Sequence, residues 1–209
     1  MLVLASTSRY RHELLARLRL PMRALAPDVD ETPRPGEAPL QLAIRLAADK
    51  ARRVRERLLA GEADPADRLV IGSDQVATLD GRNPIGKPGS HENAVQQLRA
   101  QSGRRVAFHT AVTVIELTGG RERSDQVTTQ VVFRPLDDRQ IEAYLLAETP
   151  YDCAGAAKSE GLGIALLEAI EGPDPTALIG LPLIALSRLL AMAGCEPIMG
   201  GATGPAHYG

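Results

Sequence analysis

An apolar strand that runs directly into a polar turn and then into a helix opens the chain and limits the folds it can adopt. Residues 2–5 are predicted as a short β-strand, and residues 11–18 as a helix with leucines on one face. The turn between them is rich in hydroxyl and guanidinium groups and lies at the positive end of the helix dipole, which is typical of an anion-binding turn. It lacks the Walker pattern of a P-loop. The alternative is an ordinary helix capped by Ser6 or Ser8.

Strand-like and helical segments alternate along the rest of the sequence. Two long strands joined at Gly119-Gly120 form a predicted hairpin. The predicted strands are 2–5, 22–26, 69–73, 105–117, 122–134 and 164–170, and the predicted helices are 11–18, 40–59, 92–101, 137–148 and 183–193. Helices between strands predict an α/β protein, and the hairpin makes its sheet mixed.

Composition places the chain among soluble, folded proteins and excludes some functions. Its 209 residues can bury a sizeable core, as one large domain or two lobes. Hydrophobic residues make up 44% and charged residues 24%, both ordinary for a folded domain. The net charge of -2 argues against a nucleic-acid-binding protein, which would be strongly basic. A small anionic ligand is still compatible, because a local basic cleft needs no overall excess of charge.

Cysteine usage and hydropathy predict the compartment. Cys153 and Cys195 lie far apart and form no C-x-x-C redox or zinc motif. We expect both to be reduced and buried in a cytoplasmic protein. The amino-terminal segment does not have the pattern of a signal peptide, and no apolar run is long enough to span a bilayer, so we expect no membrane association.

Two carboxylates are candidates for chemistry. Asp74 follows the predicted apolar strand 69–73, and ligands and catalytic groups gather at the carboxyl ends of strands in open α/β sheets. A carboxylate there can hold a divalent metal or activate a water, or it can simply cap a turn. Glu31 lies with Asp28 and Asp30 in a polar loop, where it either binds a hard cation or faces solvent.

Two lysines and one late loop are candidates for ligand binding. Lys50 shares a face of the predicted helix 40–59 with apolar residues, so it either reaches out of the core or lines a cleft. Lys87 lies between a glycine and a proline, in a rigid loop that suits a phosphate or is a plain surface turn. Small residues surround Lys158 and Glu160, so segment 153–163 either approaches a ligand closely or merely connects elements. The arginines beside Lys50 are interpreted as a solvated face: Arg52, Arg53, Arg55 and Arg57.

Together, and in this order, these motifs resemble one family closely, the Maf-like nucleoside triphosphate pyrophosphatases. The resemblance spans residues 2–200 and rests on Leu-Ala-Ser-Thr-Ser at 4–8 with Arg11, Val-Asp-Glu-Thr at 29–32, Lys-Ala at 50–51, Gly-Ser-Asp at 72–74, Gly-Lys-Pro at 86–88 and Gly-Leu-Pro at 180–182. It implies an elongated mixed β-sheet flanked by helices, with two lobes around a central cleft. It also implies a single domain over residues 1–200. The tail at 201–209 is Gly-rich and polar, so we expect it to be flexible.

The resemblance implies hydrolysis of a nucleoside triphosphate between its α and β phosphates, with a divalent metal such as magnesium, manganese or cobalt. Glu31 and Asp74 would handle the metal and the water, with Asp74 as the general base, and the protein would be a homodimer. The residues that would hold the triphosphate are Ser6, Ser8, Arg11, Lys50 and Lys87. A triphosphate carries about four negative charges near neutral pH, which calls for several cationic partners as well as a metal.

Gln75 and Glu160 indicate a branch of this family. Much of the family has threonine and glutamine at these two places and favours pyrimidine triphosphates, so this chain resembles the branch that acts on 7-methyl-GTP and clears modified nucleotides. Guanine presents two neighbouring donors that a carboxylate accepts, and methylation at N7 makes the base cationic, which favours Glu160 and an aromatic face such as Tyr10. The branch often has tryptophan in place of Tyr10 and a basic residue in place of His12.

Two other functions stay open at this point. One is a pyrophosphatase for dTTP and UTP, or one of broad specificity, and Gln75 and Glu160 argue against it. The other is a non-catalytic nucleotide-binding regulator, for example of cell division. Glu31 and Asp74 argue against that reading, because binding alone needs cations more than a base.

Overall fold

A mixed sheet forms the centre of the protein, whose computed structural model describes residues 1–200. Its six strands are β1 (Leu2–Ala5), β2 (Met22–Leu25), β3 (Leu69–Thr78), β4 (Arg105–Glu116), β5 (Glu122–Phe133) and β6 (Leu167–Glu171). They lie in the order β2-β1-β3-β4-β5-β6. β1 is parallel to both β2 and β3, whereas β3 to β6 are antiparallel neighbours. The predicted mixed α/β class is confirmed.

Every predicted helix is present, with its ends within two residues of the prediction. The α-helices are α1 (Arg9–Ala16), α2 (Pro39–Arg57), α3 (His91–Gln101), α4 (Asp138–Glu148), α5 (Leu183–Met192) and the short α6 (Pro197–Gly200). α2 continues into a single π-helical turn, Leu58–Glu62, within which Gly61 adopts a non-helical φ of 123°. The predicted tail at 201–209 lies outside the described residues.

β3 is longer than predicted, and this changes the position of Asp74. The strand continues to Thr78 because β4, with 12 residues, supplies a partner for each of its residues. Asp74 therefore lies inside β3, and the prediction that it follows the end of the strand is wrong. The shorter β1 pairs with β3 only as far as Gly72, opposite Ala5. Asp74 thus lies just beyond the last parallel pair, beside the turn that follows β1.

The last strand is shorter than predicted. Residues 164–170 were expected to form one strand, but Leu162–Leu166 is a 3-10 helix and β6 begins at Leu167. Its partner β5 ends at Phe133, which pairs with Leu167, so the preceding residues have no strand to bond to.

Helices cover both faces of the sheet and divide one face into two lobes. α2 covers one face, where it packs on Val3 and Val70. The other face carries two separate hydrophobic clusters. One includes Leu14 of α1 and residues of α5, and the second includes Leu98 of α3 and Leu145 of α4. These clusters correspond to the two predicted lobes.

Gly72 allows α2 to lie almost in contact with β3. A Cβ atom at this position would be 2.1 Å from the Ala47 carbonyl oxygen and 2.8 Å from the Ala51 nitrogen, both in α2. Only glycine fits such an approach between backbones. Because Lys50 precedes Ala51, the approach brings its side chain to the next residue of that face, Asp74.

Two predictions about exposure are corrected. Arg52 and Arg53 are exposed as expected, but Arg55 is half-buried and donates to the Leu117 carbonyl at 3.0 Å. Arg57 is also half-buried and donates to the Ala26 carbonyl at 2.6 Å. Arginine does this because its fixed fork of donors satisfies loop carbonyls that lack a backbone partner.

The two cysteines are less buried than predicted. Cys153 and Cys195 are free thiols, but each is only partly buried, because they lie in connecting segments rather than in the clusters under the sheet.

Across residues 1–200, no helix has the length and apolar character needed to cross a membrane.

Candidate active site

One cleft of about 730 Å³ collects the residues singled out from the sequence. Its walls come from the turn after β1, from α2 and β3, and from the loops at 84–87 and 152–160, so both lobes contribute. All ten predicted residues line it: Ser6, Ser8, Tyr10, Arg11, Glu31, Lys50, Asp74, Gln75, Lys87 and Glu160. The fold therefore brings together groups that are up to 154 positions apart in the sequence.

Lys50 lies in this cleft between two carboxylates. Its Nζ atom is 2.6 Å from Asp74 Oδ1 and 2.5 Å from Glu31 Oε1. Lys50 and Asp74 are buried, with exposures of 4% and 6%, whereas the Glu31 side chain is 54% exposed. Buried charges require a partner. Of the two alternatives for Lys50, the structure therefore favours the cleft over escape to solvent.

Glu31 is held in its charged form by its neighbours. Burial raises the pKa of the Glu31 carboxyl, but the hydrogen bond from Lys50 and the nearby positive charges of Lys50, Lys87 and Arg11 outweigh that effect. The net result is a pKa below the ordinary value for glutamate. The cleft therefore presents an anionic Glu31 at neutral pH.

Arg45 of α2 holds the loop that carries Glu31. Its Nε and Nη2 atoms donate to the Glu37 carboxylate at 2.6 and 2.8 Å, and Nη2 also donates to the Thr32 carbonyl at 3.1 Å. The hydrogen bonds from Arg45 lower the pKa of Glu37 to about 2. The sequence analysis missed Arg45, whose one local signal is its i,i+4 spacing to Asp49.

The turn after β1 settles which serine caps α1. Ser8 is the N-cap, and its Oγ accepts from the Arg11 backbone nitrogen at 3.4 Å. Ser6 Oγ instead accepts from the Ser8 nitrogen at 3.1 Å. Both hydroxyls thus shape the turn and still line the cleft. His12 is exposed and lies outside the cleft lining.

Arg11 is aimed into the cleft by the backbone of Gly180. Its Nε donates to the Gly180 carbonyl at 2.9 Å, and its Nη2 lies 3.8 Å from Asp74 Oδ1. Ser73 Oγ donates to the same carbonyl at 2.9 Å. Gly180 has a φ of 121°, which other residues rarely adopt. The sequence analysis assigned no role to Ser73 or Gly180, although both belong to motifs that it quoted.

Gln75 uses its amide nitrogen for hydrogen bonds within the protein. That nitrogen donates to Thr110 Oγ1 at 3.0 Å and to the Ala177 and Leu178 carbonyls at 2.9 Å each. Its donors are therefore committed to β4 and to the segment before Gly180, and Gln75 ties that segment to the sheet. The signal for Thr110 is absent from the sequence, since it depends on the pairing of β3 with β4.

Lys87 lies on an exposed loop that is connected to the opposite loop of the cleft. The preceding carbonyl, of Gly86, accepts from Gln97 Nε2 at 3.2 Å and from the Gly155 nitrogen at 3.4 Å. Gln101 Nε2 donates to the Gly155 carbonyl at 2.8 Å. Two glutamines of α3 thus bind both loops. The sequence analysis missed them because they lie on a helix outside every motif.

Tyr10 and Glu160 lie at the other end of the cleft from Asp74. Arg9 donates to the Tyr10 hydroxyl at 2.9 Å and places its guanidinium carbon 4.8 Å from the ring centre. Lys158 Nζ lies 5.9 Å from the same ring centre and 2.6 Å from Glu148. Tyr10 therefore already has cations near its ring, and Glu160 is exposed.

Asp152 and Cys153 also line this end and were not predicted as site residues. Burial raises the pKa of the Cys153 thiol to about 12, and the charges of Asp152 and Glu160 add to that rise. Cys153 is therefore a neutral thiol and not a nucleophile at neutral pH. Asp152 and Glu160 therefore lie close enough to Cys153 for their charges to act on the same small region.

The two central carboxylates are suited to a hard cation. Glu31 and Asp74 approach one ammonium group, so their oxygens converge on a small volume. Among residues 1–200, no group of three or more histidine, cysteine or acidic side chains is arranged to hold a metal. One or two carboxylates completed by substrate phosphates is the ligand set typical of magnesium. The residues present fit a cation that is shared with a phosphorylated ligand.

A polar cleft with cations around paired carboxylates, in a mixed α/β sheet, defines a class of proteins that bind small phosphorylated ligands. The chain belongs to the family described as Maf-like protein, whose model matches residues 1–193.

Several relatives match nearly the whole chain. The 7-methyl-GTP pyrophosphatase of Burkholderia pseudomallei (strain 1710b) is 57% identical over 208 residues, which cover 100% of this chain and 94% of that protein. Proteins of the same name from Paraburkholderia xenovorans (58% identical, 95% and 94% covered) and Thiobacillus denitrificans (56% identical, 97% and 96% covered) are similarly close. A solved nucleoside-triphosphatase (dITP/XTP pyrophosphatase) from Mycobacterium abscessus is more distant, with 15% identity, 71% and 95% coverage and a TM-score of 0.41.

Proposed function

We propose that this protein hydrolyses 7-methyl-GTP to 7-methyl-GMP and pyrophosphate. The observation that carries the proposal is the buried Lys50, paired with Asp74 and Glu31 in a cleft whose other end presents Tyr10 and Glu160. The name shared by the relatives at 56–58% identity supports the same substrate.

The phosphate end of the cleft comprises Ser6, Ser8, Arg11, Glu31, Lys50, Asp74 and Lys87. Its three cations are placed to bind the triphosphate, and backbone and hydroxyl donors of the turn after β1 add to them. Glu31 and Asp74 would hold a divalent cation, which neutralises charge on the phosphates when it is bound. Magnesium, manganese and cobalt all accept carboxylate and phosphate oxygens.

In the reaction, a water oxygen attacks the α phosphorus and forms the new P–O bond. The bond from the α phosphorus to the bridging oxygen breaks, and pyrophosphate leaves with that oxygen. Asp74 takes the proton from the water as general base, because it is the buried carboxylate of the cleft. Arg11 and Lys87 stabilise charge on the phosphates, which is the main task of a protein in phosphoryl transfer.

The base end comprises Tyr10, Asp152, Cys153 and Glu160. Glu160 would accept hydrogen bonds from the two donors on the guanine edge, and Tyr10 would stack on the base. The combined negative charge of Asp152 and Glu160 suits a base made cationic by methylation at N7. Gln75 supports selectivity indirectly, because its amide holds the segment that positions Arg11.

We also propose a compartment, an oligomeric state and a cellular role for the enzyme. It would act in the cytoplasm as a homodimer that clears modified nucleotides, without binding nucleic acid. A pyrophosphatase for dTTP and UTP is the main alternative, and a non-catalytic regulator is the second.

A substrate panel tests the proposal. Purified protein is mixed with 7-methyl-GTP, GTP, UTP or dTTP in the presence of magnesium, manganese or cobalt, and pyrophosphate and orthophosphate are measured separately. Asp74→Asn, purified in the same way, reports contaminating activity. We expect one pyrophosphate per nucleotide, the highest kcat/KM for 7-methyl-GTP, and loss of activity with EDTA.

Three other results of this substrate panel would contradict the proposed activity. A higher kcat/KM for UTP or dTTP would assign the protein to the pyrimidine alternative. Nucleotide binding without any pyrophosphate would favour the regulator. Orthophosphate as the first product would contradict attack at the α phosphorus.

A further inference from the structure

The side chain of Lys50 takes up the place between the carboxylates that a divalent cation would need. Its ammonium group contacts Asp74 Oδ1 and Glu31 Oε1 at 2.6 and 2.5 Å. A cation that binds the same two oxygens must first separate them from the ammonium. Lys50 is 4% exposed, so solvent offers its displaced charge little compensation where it stands.

Lys87 shows that this arrangement is specific to Lys50. Both lysines line the cleft, but Lys87 is exposed and lies on a loop, and it acts on Glu31 only through its charge. The chain thus offers a matched pair of lysines in one cleft. One is inserted between the carboxylates and the other is beside them.

The surroundings of Lys50 allow its ammonium group to leave the two carboxylates for the phosphates of a bound nucleotide. Glu31 is half exposed and lies on a loop, so it can separate from Lys50 without repacking the core. Asp74 keeps a second positive neighbour in Arg11, 3.8 Å away. A triphosphate would bring new oxygen acceptors to the ammonium at the moment when it releases the carboxylates.

We propose that Lys50 closes the cation site of the nucleotide-free protein and opens it by transferring from Glu31 and Asp74 to the phosphates of the bound nucleotide. The proposal rests on the proposed function, because it assumes a phosphorylated ligand and a divalent cation. Linkage then requires each of the two ligands to strengthen binding of the other. Free metal would bind weakly to the protein, and the cation would be recruited with its nucleotide.

Binding of manganese to the nucleotide-free protein tests this exchange without any turnover. Free Mn²⁺ is measured by its electron paramagnetic resonance signal as wild type, Lys50→Met and Lys87→Met are titrated. Removal of the ammonium leaves two converging carboxylates, so we expect Lys50→Met to bind Mn²⁺ tighter than wild type by about tenfold or more. Lys87→Met should change the affinity by less than about threefold, because it removes a screened charge outside the pair.

Two further variants make the result decisive. Adding Glu31→Gln to Lys50→Met should cancel the gain, because it removes one of the two ligands. Should Lys50→Met fail to fold by circular dichroism, Lys50→Gln, which keeps a hydrogen-bond donor toward Asp74, is expected to show the same direction of change.

The possible outcomes separate this proposal from the proposed function. Equal or weaker Mn²⁺ binding by the neutral variants would overturn the exchange, as would an equal gain in Lys87→Met. Pyrophosphate release by wild type would still support the activity in either case. Conversely, tighter binding by Lys50→Met in a protein that releases no pyrophosphate would support the closed cation site and reject the enzyme.

Discussion

The two ends of the cleft are built from different kinds of structure. At the phosphate end, Lys50 and Asp74 lie on α2 and β3, both buried, and α2 rests on β3 through Gly72. At the base end, Glu160 is exposed, between two short 3-10 helices. Rigid elements keep reacting groups in place, whereas loops change more easily without loss of the fold. Bond cleavage should therefore depend on the first region and choice of substrate on the second.

Asp74→Asn should produce the largest loss. It keeps the size of the side chain but cannot accept a proton, so pyrophosphate release should fall by about a hundredfold to ten-thousandfold. Asp67→Asn is the matched control, because Asp67 is also buried and paired with a cation, Arg23 at 2.6 Å, but lies outside the cleft. Steady-state kinetics of both folded variants make the comparison. Activity of Asp74→Asn above a tenth of wild type would remove Asp74 as the base.

Gly72→Ala tests the rigid support of the phosphate end. Its methyl group would meet the Ala47 carbonyl oxygen at 2.1 Å, so α2 must shift and carry Lys50 with it. We expect a loss of about 1–3 kcal/mol in the free energy of unfolding, or more, together with reduced activity. Gly86→Ala is the control within the cleft lining, since its Cβ would meet nothing within 4 Å. Urea unfolding measures both, and equal stability of the two variants would refute the close contact.

Glu160→Gln tests whether the base end sets specificity alone. The amide offers a donor, or a weaker neutral acceptor, to the two donors of the guanine edge. A mispaired polar edge costs about 1–3 kcal/mol, or about fivefold to a hundredfold in kcat/KM for 7-methyl-GTP. UTP and dTTP should be affected much less. A uniform loss for all substrates would place Glu160 among the groups that serve bond cleavage and would blur the distinction between the two ends.

Glu37→Gln should have the smallest effect, and it depends on pH. The hydrogen bonds from Arg45 lower the pKa of Glu37 from 4.5 to about 2, so the native state favours the carboxylate. The stabilisation is fully present above pH 4.5 and is lost as the pH falls through about 2. At neutral pH we expect a loss of about 0.2–1 kcal/mol in the variant. Denaturation at several pH values should show the difference from wild type shrinking in acid, and a constant difference would contradict it.

Local patterns in the sequence were enough to find most elements of the fold. Periodicity and capping signals identified the helices, such as α4 with Asp137 as its N-cap. Strand ends were harder to predict, because the length of a strand depends on its partner. β3 extends past Asp74 because β4 pairs with it, and β6 starts late because β5 ends at Phe133.

The sequence by itself determined the order of strands and helices along the chain and the mixed character of the sheet, because these follow from residue types and spacing, which are local properties. The ten residues that converge in the cleft were identified from the sequence motifs together with their resemblance to the Maf-like family. The tertiary structure alone decided that Lys50 is inserted between Glu31 and Asp74 and that the Gln75 amide donates its hydrogen bonds to protein acceptors. It also decided that Arg45 and two glutamines of α3 hold the loops that line the cleft. Such partnerships depend on how closely distant segments approach, and Gly72 shows that a single missing Cβ can set that distance.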